Sequence, residues 1–181
     1  VESKMEQDIT KINNIVNNVS PIYSTDYNFN LGEEDLRWVK FQTGRALCKG
    51  ILSIFVSKEP KSFRNNQPVR LDNSNLTQSN SKNYHHFFPR DYLKKQNIPN
   101  DNIISNITLI SDFDNKIEIR TDPPSKYITN FKKNNPIIEQ TLLGHLIGNL
   151  QDFGILNDNY EEFIKKRTSL IYHEIKSRIG N

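Results

Sequence analysis

Apolar positions recur at helical spacing in three parts of the chain, and polar stretches separate them. Within residues 33–57, Leu36, Val39, Leu47, Ile51, Ile54 and Phe55 follow a mostly helical period. Glu33, Glu34 and Asp35 stand at the start, where the helix dipole favours negative charge. The pattern predicts one long helix despite Gly44 and Gly50. On it Arg37, Phe41, Arg45 and Lys49 recur every four residues, which puts the cations on one face, either as a solvated stripe or as a phosphate-contacting surface. Two further helices are predicted over residues 136–150 and 158–179. The second carries the stripe Tyr160, Phe163, Ile164, Leu170, Ile171 and Ile175. Asp158 and Glu161 have capping-box spacing, and Gly180 is placed to end that helix in a left-handed turn.

Between these parts the periodicity changes. Residues 60–82 are polar and rich in Asn and Ser, with only residues 68–71 suggesting an extended piece, so they read as a long connection. The short apolar runs at residues 86–88 and 107–110 read as two brief strands. A helix is expected near Asp114. Pro123 and Pro124 then end that segment and open another helix over residues 125–133. The predicted fold is α+β: a mostly helical body around a small two-strand-and-helix site. Residues 1–82 form a helical lead-in and connecting loop, and residues 83–181 hold the site and the last helices, in one compact unit.

Composition narrows the picture without deciding it. A chain of 181 residues, 35% hydrophobic and 25% charged, suits one globular domain. No run approaches the roughly 18 apolar residues of a membrane helix, so no membrane partner and a cytoplasmic location are expected. The chain starts at Val1 without a secretion signal and reads as a fragment of a longer protein. Cys48 lies in an apolar-periodic stretch and is expected as a buried thiol. A net charge of +3 permits a phosphate-rich partner without requiring one. The many asparagines read as compositional bias.

The string that bears on chemistry is Asn83-Tyr84-His85-His86-Phe87-Phe88-Pro89-Arg90, which holds two of the chain's four histidines side by side. Hydrolysis of a phosphodiester needs a base for the attacking water and a cation for the charge on phosphate and leaving oxygen. A neutral imidazole can be the base, and a second imidazole or a side-chain oxygen can hold the cation. Neighbours on a regular strand point to opposite faces, so the two histidines serve one centre only where the strand ends or twists, as Pro89 allows. Taken alone, such a pair has an ordinary alternative: one buried and one exposed histidine with no metal. His145 and His173 adjoin apolar residues and read as structural or surface residues.

In order, His-His-Phe-Phe-Pro, then Ser105-Asn106-Ile107-Thr108-Leu109-Ile110, then Asp114-Asn115-Lys116 resembles the ββα-metal motif of HNH nucleases. It is most similar to the HNH domain at the C-terminal end of GmrSD-type, modification-dependent restriction enzymes. More weakly, Pro123-Pro124-Ser125-Lys126-Tyr127 and Phe163 with Arg167 extend the likeness over about the last 100 residues. The resemblance implies a metal-dependent DNA endonuclease or nickase in restriction or anti-phage defence. His86 would be the general base, His85 and Asn115 the metal ligands, and Asn106 the residue that fixes the histidine loop.

It also implies a divalent cation, magnesium or manganese, with DNA as partner and an upstream nucleotide-hydrolysing domain in the same protein. Arg90 or Lys116 would steady the phosphate, and Asp112 and Asp114 are less certain ligands. Two departures stand out: His85 replaces the aspartate common at that position, and the Asp-Gly-Gln-Gln-Arg string of the nucleotide-hydrolysing domain does not occur. Lys132, Lys133, Lys165, Lys166, Arg167, Lys176 and Arg178 could hold a DNA backbone or simply face solvent. The alternative function is a catalytically inactive nucleic-acid-binding module of a larger assembly. A purely structural or protein-interaction domain is a third.

Overall fold

A computed structural model describes residues 2–20, 31–69, 84–111 and 114–179. Asp112, Gly180, the side chain of Lys116 and residues 70–82 of the polar connection lie outside the described residues. The chain is a mostly helical α+β fold. Its elements are α1 (Glu2–Val16), α2 (Glu33–Arg37), α3 (Ala46–Ser57), β1 (Tyr84–His86), α4 (Arg90–Lys95), β2 (Ile107–Leu109), α5 (Pro124–Asn134), α6 (Ile138–Leu143) and α7 (Tyr160–Ile179). A 3-10 turn, Ile104–Asn106, leads into β2, and a π-type helix, Asp114–Ile119, follows it. Sequence periodicity did not predict α1 or α4.

The long helix expected over residues 33–57 is two helices. Between them the backbone turns to a distant partner: the Phe41 N–H donates to the Asn102 carbonyl at 2.9 Å, and the Ile104 N–H donates to the Val39 carbonyl at 2.9 Å. These bonds form an antiparallel bridge between Lys40 and Ile103 and replace the helical ones. Helical spacing survives in the sequence because α2 and α3 both pack on α7. The aligned cation face does not survive. Arg37 ends α2 and pairs with Glu34, Arg45 is the N-cap of α3, and only Lys49 lies inside that helix.

The helix expected over residues 136–150 stops at Leu143. Leu146 takes a left-handed conformation (φ 54°), across which the Ile147 N–H donates back to the Leu142 carbonyl at 3.1 Å. That is the geometry of a helix C-terminal cap, built here without glycine. At α7 the cap is Asn159, whose Oδ1 accepts the Glu162 N–H at 3.1 Å, rather than Asp158. Asp158 caps a different helix. Its carboxylate accepts the Ser125 N–H at 2.9 Å and the Ser125 hydroxyl at 2.6 Å, at the start of α5.

β1 and β2 pair antiparallel, with Tyr84 opposite Leu109, His85 opposite Thr108 and His86 opposite Ile107. Both strands lie near the expected positions, but β1 starts and ends two residues earlier than the apolar run at residues 86–88. Two apolar clusters flank the hairpin. One gathers Phe63, Phe87, Phe88, Tyr127, Phe131 and Phe163; the other gathers Leu36, Cys48, Ile51, Ile107, Leu109 and Ile171. α7 serves both, with Phe163 and Ile164 in the first and Ile171 and Ile175 in the second. Phe87 stacks on Phe163 with ring centres 4.6 Å apart and planes 7° apart, and the Tyr127 hydroxyl donates to the Phe87 carbonyl at 2.6 Å. The residue that follows the histidines is thereby fixed in the first cluster by both its ring and its carbonyl.

His145 is buried under the Phe63 ring, with Nε2 2.8 Å from the Lys61 carbonyl. Burial pushes its pKa down to about 4, against the bond to Lys61, which favours the cation. The folded protein therefore keeps this ring neutral where the unfolded chain, with the ordinary value near 6.5, takes up a proton. Stability conferred by the neutral ring is complete above pH 6.5 and is lost as pH falls toward 4. Urea titrations at pH 7 and pH 5 are expected to show a decline of about 1 kcal/mol per pH unit from this residue. That share of the decline should vanish in His145→Gln; an unchanged slope in the variant refutes the assignment.

Candidate functional site

After His86 the strand ladder ends because a side chain takes over its hydrogen bonds. Asn106 Oδ1 accepts the Phe88 N–H at 2.9 Å, and its Nδ2 donates to the Phe88 carbonyl at 3.0 Å and the Asp101 carbonyl at 3.2 Å. The Asn106 main-chain carbonyl also accepts the Phe87 N–H at 2.8 Å. A wholly buried amide thus stands in for a neighbouring strand, and Pro89 follows as the N-cap of α4. Asn106 lies beneath the site as a clamp on the turn and does not line the pocket.

That ending lets adjacent histidines share one centre. His85 turns inward, with 3% of its surface exposed, while His86 is partly exposed. Both line a polar pocket of about 280 Å3, together with Tyr84, Pro89, Arg90, Asp91, Asn115 and Arg120. His85 Nδ1 lies 2.9 Å from Asn115 Oδ1, and His86 Nε2 lies 2.9 Å from Asn102 Oδ1. His85, His86 and Asn115 are therefore brought together. Arg90 lies on the pocket wall and bonds Asp101 through Nε at 2.8 Å. Asp114 does not join them: it is buried, with its Oδ2 accepting the Ser62 hydroxyl at 2.8 Å.

Burial dominates the electrostatics of both rings. It pushes the His85 pKa down to about 3, with His86 adding to the effect and the bond to Asn115 opposing it. Burial also lowers the His86 pKa and Arg90 assists, against the bond to Asn102 and the charge of Asp101. Both imidazoles are neutral at pH 7, the form that accepts a proton or binds a metal.

No family model matches the chain, and no solved structure matches it. It is 28% identical, over 208 aligned residues, to an uncharacterized protein of Methanocaldococcus jannaschii. The alignment covers 99% of this chain and 34% of the relative, so the chain spans about a third of that protein's length.

His85 Nε2 is buried without a hydrogen-bond partner, but it is the ring nitrogen that does not face Asn115, so a divalent cation at Nδ1 would leave it unpartnered. The 2.9 Å contact is a hydrogen bond in which His85 Nδ1–H donates to Asn115 Oδ1; with the ring proton moved to Nε2, the same two atoms have the separation of adjacent ligands on one ion, since two bonds of about 2.1 Å at right angles end about 3 Å apart. Both are neutral, so they fit as a partial set that the phosphate of a substrate would complete. Among the described residues there is no cluster of three or more His, Cys, Asp or Glu side chains able to hold a metal.

Four further expectations resolve on the structure. Arg167 is not a surface cation but is wholly buried. Lys132, Lys133, Lys165 and Lys166 are exposed, and His173 is exposed. Arg178 pairs with Glu174. Sequence reasoning missed Asn102 and Arg120. Asn102 sits in the polar string Pro99-Asn100-Asp101-Asn102, where nothing distinguishes it from the chain's other asparagines.

Proposed function

We propose that this chain is a divalent-metal-dependent DNA endonuclease or nickase of the HNH kind, the nuclease part of a longer restriction or defence protein. One arrangement carries this reading: two neutral histidines and Asn115 meet in a polar pocket with Arg90 and Arg120 on its wall. His86 accepts a proton from water as the oxygen attacks the scissile phosphorus and the bond to the departing 3′ oxygen breaks. Arg90 and Arg120 hold phosphate oxygens as fixed charges. Asn106 keeps the turn after His86 in place through its bonds to Phe88. His85 and Asn115 are the residues that would hold magnesium or manganese, whose chemistry when bound is to offset charge on the phosphate and the leaving oxygen. An upstream nucleotide-hydrolysing part belongs to the same proposal, and the chain spans only about a third of its relative's length.

A second reading, a nucleic-acid-binding module without activity, is favoured by one observation: both facing donors at His85 and Asn115 are neutral. Incubation of supercoiled plasmid with the protein separates the two. Conversion to nicked or linear DNA with Mg2+ or Mn2+, stopped by EDTA, is the expected result. Salt-sensitive DNA binding with no cleavage under any divalent ion would favour the second reading and overturn the first.

A further inference from the structure

We propose that Asn102 is the positioning residue of His86: it fixes the imidazole as the Nε2–H tautomer and so presents Nδ1 as the proton-accepting atom. The inference rests on the nuclease reading for its consequence, but its geometry stands independently. A neutral imidazole carries one N–H, and an amide can offer either a donor or an acceptor, so a distance of 2.9 Å between His86 Nε2 and Asn102 Oδ1 leaves the direction of the bond open. A third group decides it. Asn102 Nδ2 lies 3.3 Å from the Phe41 carbonyl, which can only accept. Reversing the amide would set two oxygens against each other there and two nitrogens against each other at His86.

The Phe41 carbonyl cannot turn away to relieve such a clash. The Phe41 N–H donates to the Asn102 carbonyl at 2.9 Å, and the Ile104 N–H donates to the Val39 carbonyl at 2.9 Å, so the two segments are pinned on either side of the amide. Oδ1 therefore faces His86, Nε2 must donate to it, and the lone pair is left on Nδ1. Asp101, the nearby carboxylate that could compete for the ring, is engaged by Arg90 at 2.8 Å. Asn102 touches the ring and does not line the pocket, so it acts through His86. The break in the helix over residues 38–45 acquires a purpose here, because the extended stretch supplies the carbonyl that orients the amide.

The test is nitrogen-15 NMR of the histidine rings of the whole chain, alongside plasmid nicking kinetics. The wild-type protein is expected to show His86 protonated on Nε2. Asn102→Leu should release that preference and lower kcat for nicking at least about tenfold, with KM for DNA unchanged. Asn102→Asp keeps an acceptor oxygen at His86 but sets its second oxygen against the Phe41 carbonyl, so it should hold the Nε2–H tautomer while recovering only part of the rate. A wild-type ring protonated on Nδ1 overturns the proposal, as does an Asn102→Leu protein that keeps both tautomer and kcat. Should Asn102→Leu fail to fold, the wild-type spectrum and Asn102→Asp still decide. An Nε2–H ring in a protein that cuts no DNA would overturn the nuclease reading and leave the tautomer assignment standing.

Discussion

Replacing His86 with alanine is expected to lower metal-dependent DNA nicking by at least about a hundredfold, the usual minimum contribution of a positioned general base. The fold should tolerate the change. His86 is partly exposed at the end of a short strand, and the turn after it is held by Asn106 and by the Tyr127 hydroxyl on the Phe87 carbonyl, neither of which touches the imidazole. DNA affinity should also persist, because Arg90 and Arg120 remain on the pocket wall. The kinetic signature is an equal fall in kcat and kcat/KM, the mark of an interaction used only in the transition state. Circular dichroism and a DNA-binding isotherm on the same preparation exclude unfolding as the cause. Activity within about threefold of wild type would remove His86 from the mechanism.

Arg167→Ala is expected to cost about 3–5 kcal/mol of stability, a large share of the roughly 5–15 kcal/mol that holds a domain together. The guanidinium is wholly buried, and carbonyl oxygens meet its charge: Nη1 donates to Ser105 at 2.8 Å, while Nη2 and Nε donate to His145 at 3.1 Å and 3.3 Å. It also lies over the Phe55 ring at 5.0 Å. Burial pulls its pKa down to about 9, which leaves it protonated at neutral pH. Alanine would orphan those buried carbonyls and open a cavity between the two apolar clusters. Urea unfolding monitored by circular dichroism should show a lower midpoint with an unchanged slope. A loss below about 1 kcal/mol would mean that water or neighbouring groups replace the cation, and would end its assignment as a structural link.

Arg167 also marks where the sequence was legible and was misread. Phe163, Ile164, Arg167 and Ile171 fall on one side of a helix of period 3.6, so the spacing already placed the arginine among apolar residues. Its neighbours Lys165 and Lys166 mask that signal and make it read as one of a row of surface cations. Apart from Leu170, which is exposed, the stripe of α7 was readable, as was the start of α5 at Pro124, because period and proline act locally. The interruption between α2 and α3 was not, since what stops the helix is a main-chain partner at residues 102–104. The pairing of His85 with Asn115 followed from a family likeness. The pairing of His86 with Asn102 had no such guide, because an asparagine in a polar loop carries no periodic or spacing signal.

The π-type helix after β2 bears on how the pocket is drawn together. Side chains five residues apart on an α-helix point about 140° away from each other. Here the Arg120 N–H donates to the Asn115 carbonyl at 3.0 Å, five residues back, and both residues reach the same pocket. The wider turn behaves as a shim, holding one residue more than an α turn so that an amide and a guanidinium face the same way. Shortening that turn by one residue would keep every pocket residue in the chain while aiming two of them apart, so the spacing of this segment is as much a part of the site as the identity of its side chains.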